Sequence, residues 1–368
     1  DDVGFGIRID ELRKEGYKVF NGGSFTDKLE ADRNYGSNYA KKIMDIKIPE
    51  IHEFNCFDDA KTFLEGKEKK YVLKFNGIAA NQKEMLYISQ FNDNKDMLSI
   101  LDYYKTIWRD EWGESNFVLQ EKIEGIEIGI SAYFNGKNFV KPFYLDMEYK
   151  HFLAGDTSIY TGQEGESQLY TKKKTKLFDK TLKHLEDDLR EVNYVGYVNV
   201  NGIINDDDLY FLEFTISRFG YNSVSLEIEN IKSTMRFTDF IIGLFDGKDD
   251  FNILLQHAVG TLIHVPPYPY EQNYEFLGKG LPVFFEFEDE SQFHPHNVKY
   301  DVESKKWITA GDTGYICSVV GTGETAEDAI KDMKDKIKQV VIPKMGYRND
   351  IGLRWNRQSP LLRKLGYV

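Results

Sequence analysis

The sequence predicts a chain of several domains, α/β at its start and α+β from its middle onward. Three observations predict it. The 368 residues exceed what one hydrophobic core ordinarily holds. Short apolar strands alternate with amphipathic helices up to residue 120. Beyond that point longer alternating strands take over, two of them flanking the turn Asn205-Asp206-Asp207-Asp208.

The elements follow in order. Gly6 to Phe20 reads as a short helix with Gly16 as its C-cap and then a strand Tyr17–Phe20, the shape of the last helix-strand unit of an α/β domain. A Gly22-Gly23 turn and a helix carrying Tyr35, Tyr39, Ile43 and Met44 lead to a linker at Ile48-Pro49-Glu50. A helix from Phe57 precedes the strand Tyr71–Phe75; Ile100–Trp108 is helical and Phe117–Gln120 is a strand. Glu127–Phe134 alternates as a strand, Phe139–Tyr144 pairs with it, and Thr175–Glu191 reads as one polar amphipathic helix. Strands Tyr197–Ile204 and Leu209–Phe214 form the hairpin, in whose turn Asn and Asp tolerate positive φ. Helix Thr234–Leu244 follows, and past Pro266-Pro267 the strands Leu281–Phe287 and Tyr315–Val320 with helix Thr325–Lys338 suggest a smaller α+β module.

Composition narrows the function. With 41% hydrophobic and 14% aromatic residues the chain has ample material to bury. Its 47 basic against 60 acidic side chains give −13, which repels phosphate backbones and anionic membranes, so no nucleic-acid polymer is expected as a partner. The run Lys172-Lys173-Lys174 reads as a solvated face. No stretch approaches 18 apolar residues and Asp1-Asp2-Val3-Gly4 has no basic or apolar leader character, so no membrane association and a cytoplasmic location are expected. Cys56 and Cys317 are too few for a disulfide framework and read as buried free thiols. His294-Pro295-His296 reads as a solvated loop rather than a metal site.

Three segments carry chemistry. Lys74 ends a strand just before a Gly-containing loop, a geometry suited to phosphate: a fixed cation and a backbone able to approach an anion. Leu119–Glu127 is a strand that breaks at Gly125 and restarts with Glu127, a carboxylate placed to hold a ribose diol. Glu213 lies on a strand among apolar neighbours with Arg218 on the loop that follows; an acid so placed is costly to bury unless it meets a cation.

In this order the segments resemble the ATP-grasp ligases, and within them glycinamide ribonucleotide synthetases (phosphoribosylamine-glycine ligases), over nearly the whole chain. Gly16–Phe20 followed by Leu29-Glu30-Ala31-Asp32-Arg33 is similar to the family's G-x-x-V-F-G and L-E-x-S-K, with Arg33 where a phosphate-contacting Lys is usual. Val72–Ala80 resembles V-V-K-A-D-G-L-A-A, Leu119–Glu127 the hinge E-E-x-L-x-G-E-E, Asp156–Gly165 the stretch D-T-G-P-N-T-G-G-M-G, and Glu213–Gly220 the motif E-x-N-x-R-F-G. Towards the end Tyr268-Pro269, Gly280–Val283, Gly323–Ala329 and Tyr347–Gly352 are similar to G-Y-P, G-x-P-I, G-D-T-x-x-E-A and Y-R-x-D-I-G.

The resemblance implies an ATP-grasp fold, two α+β subdomains gripping ATP, divided as 1–48 (the end of an N-terminal nucleotide-fold domain and a linker), 49–120 (the small lid subdomain), 121–262 (the large subdomain) and 263–368 (a C-terminal α+β domain). The chain would enter at the final helix and strand of the family's first domain. It implies ATP and Mg²⁺, a carboxylate (glycine or another amino acid) and an amine joined through an acyl phosphate, in a monomer or small homo-oligomer. By the same token Arg33 and Lys74 are assigned to the phosphates, Glu121 and Ile123 to adenine, Glu127 to the ribose, Glu213, Thr215 and Asn201 to the metal, Arg218 with Lys74 to the transferred phosphoryl group, and Asp156, Thr157 and Lys150 to the substrate. There are departures. The lid loop A-G-K-G is Ala80-Asn81-Gln82-Lys83, Thr215 replaces the metal-binding Asn, with Asn199 and Asn201 on the preceding strand as alternative donors, and the acid pair of R-F-G-D-P-E is absent from Arg218–Ser223. Those changes point to a different acceptor, or to a nucleotide-binding homologue without turnover that serves as a sensor or interaction partner.

Overall fold

The computed structural model describes residues 3–76, 85–109, 116–206, 208–220, 222–270, 273–287 and 289–368. Helices α1 (Gly6–Lys14), α2 (Ser24–Ala31) and α3 (Arg33–Ile43) come first. Asp32 starts α3 by accepting a hydrogen bond from the Tyr35 amide at 2.9 Å, one of the orphan donors of the first turn. Gly16 takes φ +92° after α1, a left-handed turn that glycine adopts without strain. No strand forms at Tyr17–Phe20, contrary to expectation. The segment has no sheet neighbour among the described residues, and its Val19 carbonyl is instead bonded by Arg13.

A small sheet follows, built from β1 (Ile51–Phe54), β2 (Tyr71–Phe75), β3 (Tyr87–Ile88) and β4 (Phe117–Glu121) in the order β1-β4-β2-β3, all antiparallel. Helices α4 (Phe57–Leu64) and α5 (Lys95–Ile107) cover one face. Phe57, Leu73, Phe75, Leu101 and Phe117 pack between them, and the alternation of β2 leaves Lys74 pointing away from that core.

The large sheet contains β5 (Ile126–Asn135), β6 (Phe143–Leu153), β7 (Thr157–Thr171), β8 (Val195–Asn205), β9 (Asp208–Thr215) and β10 (His257–His264). The segment expected as one helix at Thr175–Glu191 is α6 (Lys176–Lys180), a 3₁₀ turn at Leu182–Leu185 and α7 (Glu186–Glu191). It breaks at Thr181, whose hydroxyl bonds the Leu177 carbonyl and whose φ and ψ of −126° and −88° leave the helix. Between β9 and β10 lie α8 (Ser223–Lys232) and α9 (Phe237–Phe245). In the β8–β9 hairpin Asn205 opposes Asp208 and Asp206 takes φ +50°, as the turn residues suggested.

The remaining elements are α10 (Tyr274–Leu277), β11 (Pro282–Phe285), β12 (His294–Pro295), β13 (Val298–Asp301), β14 (Lys306–Thr309), β15 (Tyr315–Gly323), α11 (Ala326–Ile337), β16 (Val340–Val341), β17 (Gly346–Tyr347) and α12 (Leu353–Lys364). Strands β12, β15 and β17 join the large sheet, which runs β12-β15-β10-β7-β6-β5-β8-β9 with β17 also on β10, while β13-β14-β11-β16 forms a further sheet of its own. The boundary expected at 262/263 therefore falls inside β10, because the backbone groups of β10 are satisfied on one side by β7 and on the other by β15.

One face of the large sheet is apolar. Ile128, Ile130, Leu145, Met147, Val198, Val200 and Phe214 alternate onto it and pack with Leu177, Phe178, Leu182 and Leu185. Two small features also differ from expectation. Cys317 is buried but Cys56 is exposed, at the residue before α4. His294 and His296 are not solvated: His294 is 9% exposed and bonds Glu229 at 2.8 Å, while His296 bonds the Ser318 hydroxyl at 2.9 Å. No helix among the described residues is long and apolar enough to cross a membrane.

Candidate functional site

The opposite face of the large sheet is polar, and antiparallel register brings its side chains together. On β5 the residues are Glu127, Gly129 and Ser131; on β6, Asp146, Glu148 and Lys150; on β8, Asn199 and Asn201; on β9, Glu213 and Thr215. Gly129 opposes both Asp146 and Asn201, and Asn201 opposes Glu213, so one row of residues crosses four strands. Gly129 is required there: a Cβ would lie 2.2 Å from Asp146 Oδ1 and 2.4 Å from Asn201 Oδ1.

Lys150 sits at the centre of this face. Its Nζ lies 2.8 Å from Glu213 Oε1, 3.1 Å from Glu148 Oε2 and 3.3 Å from Glu127 Oε1. The Lys150 ammonium, with further contributions from Lys74 and Arg33, holds the Glu213 carboxyl well below the usual carboxylate range. The small sheet contributes Lys74, whose Nζ donates to Gln120 Oε1 at 2.7 Å. Burial, with the nearby positive charge of Arg33, pushes the Lys74 ammonium down to about 8, while Glu213 and Glu127 oppose that shift. Arg33 projects from the first turn of α3, exposed, into the same field. The structure thus brings together Arg33, Lys74, Glu127, Lys150 and Glu213, from five separate elements.

The three residues assigned to a metal are neighbours. Glu213 is directly opposite Asn201 and Thr215 directly opposite Asn199. Asn199 is 2% exposed; its amide nitrogen donates to Ser131 and Asp146, yet its Oδ1 has no hydrogen-bond partner. An orphaned buried carbonyl oxygen beside an ionised carboxylate is a hard-oxygen donor set, which fits Mg²⁺.

The other expected residues lie further out. Arg218 follows β9 and its Nε is 2.8 Å from Glu30 Oε1; Glu30 also accepts from the Ile216 and Ser217 amides at 2.9 and 3.0 Å, so α2 fixes the loop that carries Arg218. Glu121 ends β4, with Lys69 at 2.9 Å from its carboxylate, and Ile123 is half-buried in the connection to β5. Asp156 and Thr157 form the tip of the β6–β7 hairpin, where Asp156 takes φ +55° and accepts from Arg348 at 2.6 Å. Ala80 to Lys83, the altered lid loop, and Tyr221 lie outside the described residues.

Four contributors escaped the sequence reading. Glu148 is the third carboxylate on Lys150, Gln120 holds Lys74, Glu30 holds Arg218, and Arg348 is a fully buried guanidinium joining Asp156, Asp350 and the His151 carbonyl. Asp146, Glu148 and Lys150 at alternate positions of one strand were a legible signal for Glu148. A buried acid, Glu166, stands opposite Glu148 on β7 and accepts from Gln163, Gln168 and Ser223; burial and the charge of Glu148 push it up to about 7. Ser223 and Gln163 fall in two of the segments that depart from the family pattern.

Comparison with known proteins places these features. A family model described as the phosphoribosylglycinamide synthetase, ATP-grasp (A) domain, matches residues 31–223. The phosphoribosylamine–glycine ligase of Halalkalibacterium halodurans is 23% identical over 360 residues, covering 94% of this chain and 78% of the relative. The crystal structure of the Thermotoga maritima phosphoribosylamine–glycine ligase superimposes with a TM-score of 0.67 at 23% identity over 90% of this chain and 81% of that one. The biotin carboxylase domain of Hydrogenobacter thermophilus 2-oxoglutarate carboxylase, determined with MgADP and bicarbonate, shares the fold at 11% identity and a TM-score of 0.58, over 92% of this chain and 72% of that one.

Proposed function

The chain belongs to the phosphoribosylglycinamide synthetase family of ATP-grasp proteins, and from that premise we propose that it is an ATP-dependent carbon–nitrogen ligase joining a small carboxylate to an amine. The observation that carries the reading is the convergence of Arg33, Lys74 and Lys150 with Glu127 and Glu213 on the polar face of the large sheet. Phosphoryl transfer needs charge neutralisation and positioning more than a protein nucleophile, and a cluster of fixed cations with an ionised carboxylate supplies both.

In this reading Arg33 and Lys74 hold the phosphates of ATP, Glu127 the ribose, and the connection from Glu121 through Ile123 the adenine. Glu213 with Asn201, Thr215 and the Oδ1 of Asn199 would hold Mg²⁺, which would supply neutralisation of the phosphate charge. A carboxylate oxygen attacks the γ-phosphorus and the bond to ADP breaks; the amine nitrogen then attacks the acyl carbon, phosphate leaves and the nitrogen loses a proton. Arg218, held by Glu30, faces the transferred group, and Asp156, Thr157 and Lys150 line the side from which the substrate enters. Glycine or another amino acid is the carboxylate. Gln163 and Glu164 in place of the second glycine and the methionine of G-G-M-G, and the acid pair missing from Tyr221–Ser223, favour an amine other than phosphoribosylamine.

A coupled assay for ADP release tests this with ATP, Mg²⁺ and a panel of amino acids and amines. ADP release that requires both a carboxylate and an amine, and is lost in Glu213→Gln, is expected. Silence across the panel with nucleotide binding retained would favour the second reading, a nucleotide-binding homologue without turnover, which Thr215 at the metal position motivates.

A further inference from the structure

Three of the positions at which this chain departs from the family pattern are joined by hydrogen bonds. Where the pattern has glycine, proline and glutamate, the chain has Gln163, Asn222 and Ser223. The Asn222 amide donates to Gln163 Oε1 at 3.1 Å, and Gln163 Nε2 donates to Glu166 Oε2 at 2.9 Å. The Ser223 hydroxyl donates to the same Glu166 oxygen, while Gln168 donates to Glu166 Oε1 at 2.8 Å. Gln163, Glu166, Asn222 and Ser223 are 2%, 1%, 0% and 3% exposed, so bulk water does not stand in for a missing partner. The replacements make physical sense only together. Proline has no N–H to satisfy and glycine no side chain to accept one, whereas Asn222 brings the donor and Gln163 the acceptor. Likewise a serine hydroxyl buried at 223 needs an acceptor, and Glu166 provides it.

We propose that Glu166 supplies from β7 the acid that the family pattern carries at position 223, and that it is a positioning residue: with Gln163, Asn222 and Ser223 it holds the loop bearing Arg218 beside the polar face. That loop runs from the end of β9 to the start of α8, and its two ends are fixed by different acids. Glu30 holds Arg218 and the Ile216 and Ser217 amides at one end; Glu166 holds Ser223, the first residue of α8, at the other. Helix α8 has no acid in its own first turn and no side-chain cap, so an acid reaching Ser223 from β7 meets an N-terminus that lacks one. The far strands grip the same loop, since Ser318 on β15 donates to Asn222 Oδ1 and bonds His296 at 2.9 Å. Glu166 also stands opposite Glu148, which contacts Lys150, so a shift in the network is felt on the polar face. This rests on the ligase reading, in which Arg218 faces the transferred group.

Exchanging the two side chains tests it, by ADP release with the amino acid and amine that support turnover. Glu166→Ser strands three donors and is expected to lower kcat at least tenfold while the KM for ATP stays within twofold, because the loop carries Arg218 and not the nucleotide contacts. Ser223→Glu, which sets a second acid against Glu166, is expected to lose as much. Glu166→Ser combined with Ser223→Glu is expected to recover kcat to within threefold of the unsubstituted protein. A pair no better than the weaker single variant would overturn the proposal, as would single variants that unfold at lower urea yet keep the full kcat. Should Glu166→Ser fail to fold by circular dichroism, Gln163→Ala decides instead: the same drop in kcat at unchanged KM for ATP is expected, and an unchanged kcat overturns the idea. An unsubstituted protein that releases no ADP with any substrate pair sinks the ligase reading by itself. Urea unfolding then decides the exchange: stability lost in both single variants and regained in the pair supports the relocated acid, and no regain overturns it.

Discussion

Arg348 offers the sharpest stability experiment in the molecule. Its side chain is 0% exposed, and it donates to Asp350 at 2.6 and 3.1 Å, to Asp156 at 2.6 Å and to the His151 carbonyl at 2.8 Å, with its guanidinium 4.9 Å from the centre of the Tyr149 ring. Those contacts tie β17 and the segment after it to the tip of the β6–β7 hairpin. Arg348→Met keeps much of the apolar stem and deletes every donor. Asp350, 17% exposed, is then left with the Gly155 amide at 2.9 Å as its remaining long-range partner. Removing one member of a buried ion cluster costs about 3 to 5 kcal/mol, and the semi-buried Asp350 places this case near the middle, about 4 kcal/mol. Asp156 is 41% exposed and recovers water, so Asp156→Asn should cost only about 1 kcal/mol. Urea unfolding of the two variants and the double variant measures all three quantities, and native-state hydrogen exchange should show faster exchange across 150–160 in Arg348→Met. A loss under about 1 kcal/mol for Arg348→Met, or equal losses for the two single variants, would refute the view that Arg348 anchors the hairpin.

Other outcomes follow from the charges of the polar face. Lys74 is depressed to about 8, so its ammonium is present below that pH and lost above it; ADP affinity should fall about tenfold per pH unit beyond pH 8 and stay level in Lys74→Arg, by calorimetry between pH 7 and 9.5. Glu166 is raised from 4.5 to about 7, so the fold favours its protonated form, a contribution fully present below about 4.5 and lost as pH rises through 7. It amounts to about 3 kcal/mol, and Glu166→Gln should show a correspondingly flatter stability profile between pH 5 and 8 in urea titrations. Gly129→Ala should lose metal and nucleotide binding together, since its methyl would push Asp146 and Asn201 apart; unchanged ADP and Mn²⁺ affinities would contradict the crowding at that position.

Much of this was legible in the sequence because it rests on alternation. Glu127, Asn201 and Glu213 each sit at a strand position whose neighbours are apolar or glycine, so their common face could be anticipated once the strands were drawn, whereas Lys150, between Tyr149 and His151, lies beyond the strand expected at Phe139–Tyr144. What sequence could not give was register. Whether Lys150 meets Glu213 depends on the pairing of β5 with both β6 and β8 and of β8 with β9, all set by non-local hydrogen bonds. For the same reason the end of the large subdomain was misplaced: nothing local in His257–His264 reveals that its outer edge is taken by β15. Tyr17–Phe20 failed differently. Its residues have strand propensity, but propensity without a neighbouring strand does not make a sheet. Thr181 broke a predicted helix through a side-chain bond to the backbone that helical periodicity does not encode.

The central claim, that a carboxylate is activated by ATP on the polar face and then passed to an amine, is tested most directly by following oxygen. With ¹⁸O in both carboxylate oxygens of the amino acid that supports ADP release, one label per turnover should appear in inorganic phosphate, detected by mass spectrometry, and the transfer should vanish in Glu213→Gln. ADP formation with unlabelled phosphate would mean that water, not the carboxylate, attacks the γ-phosphorus, and would contradict the account.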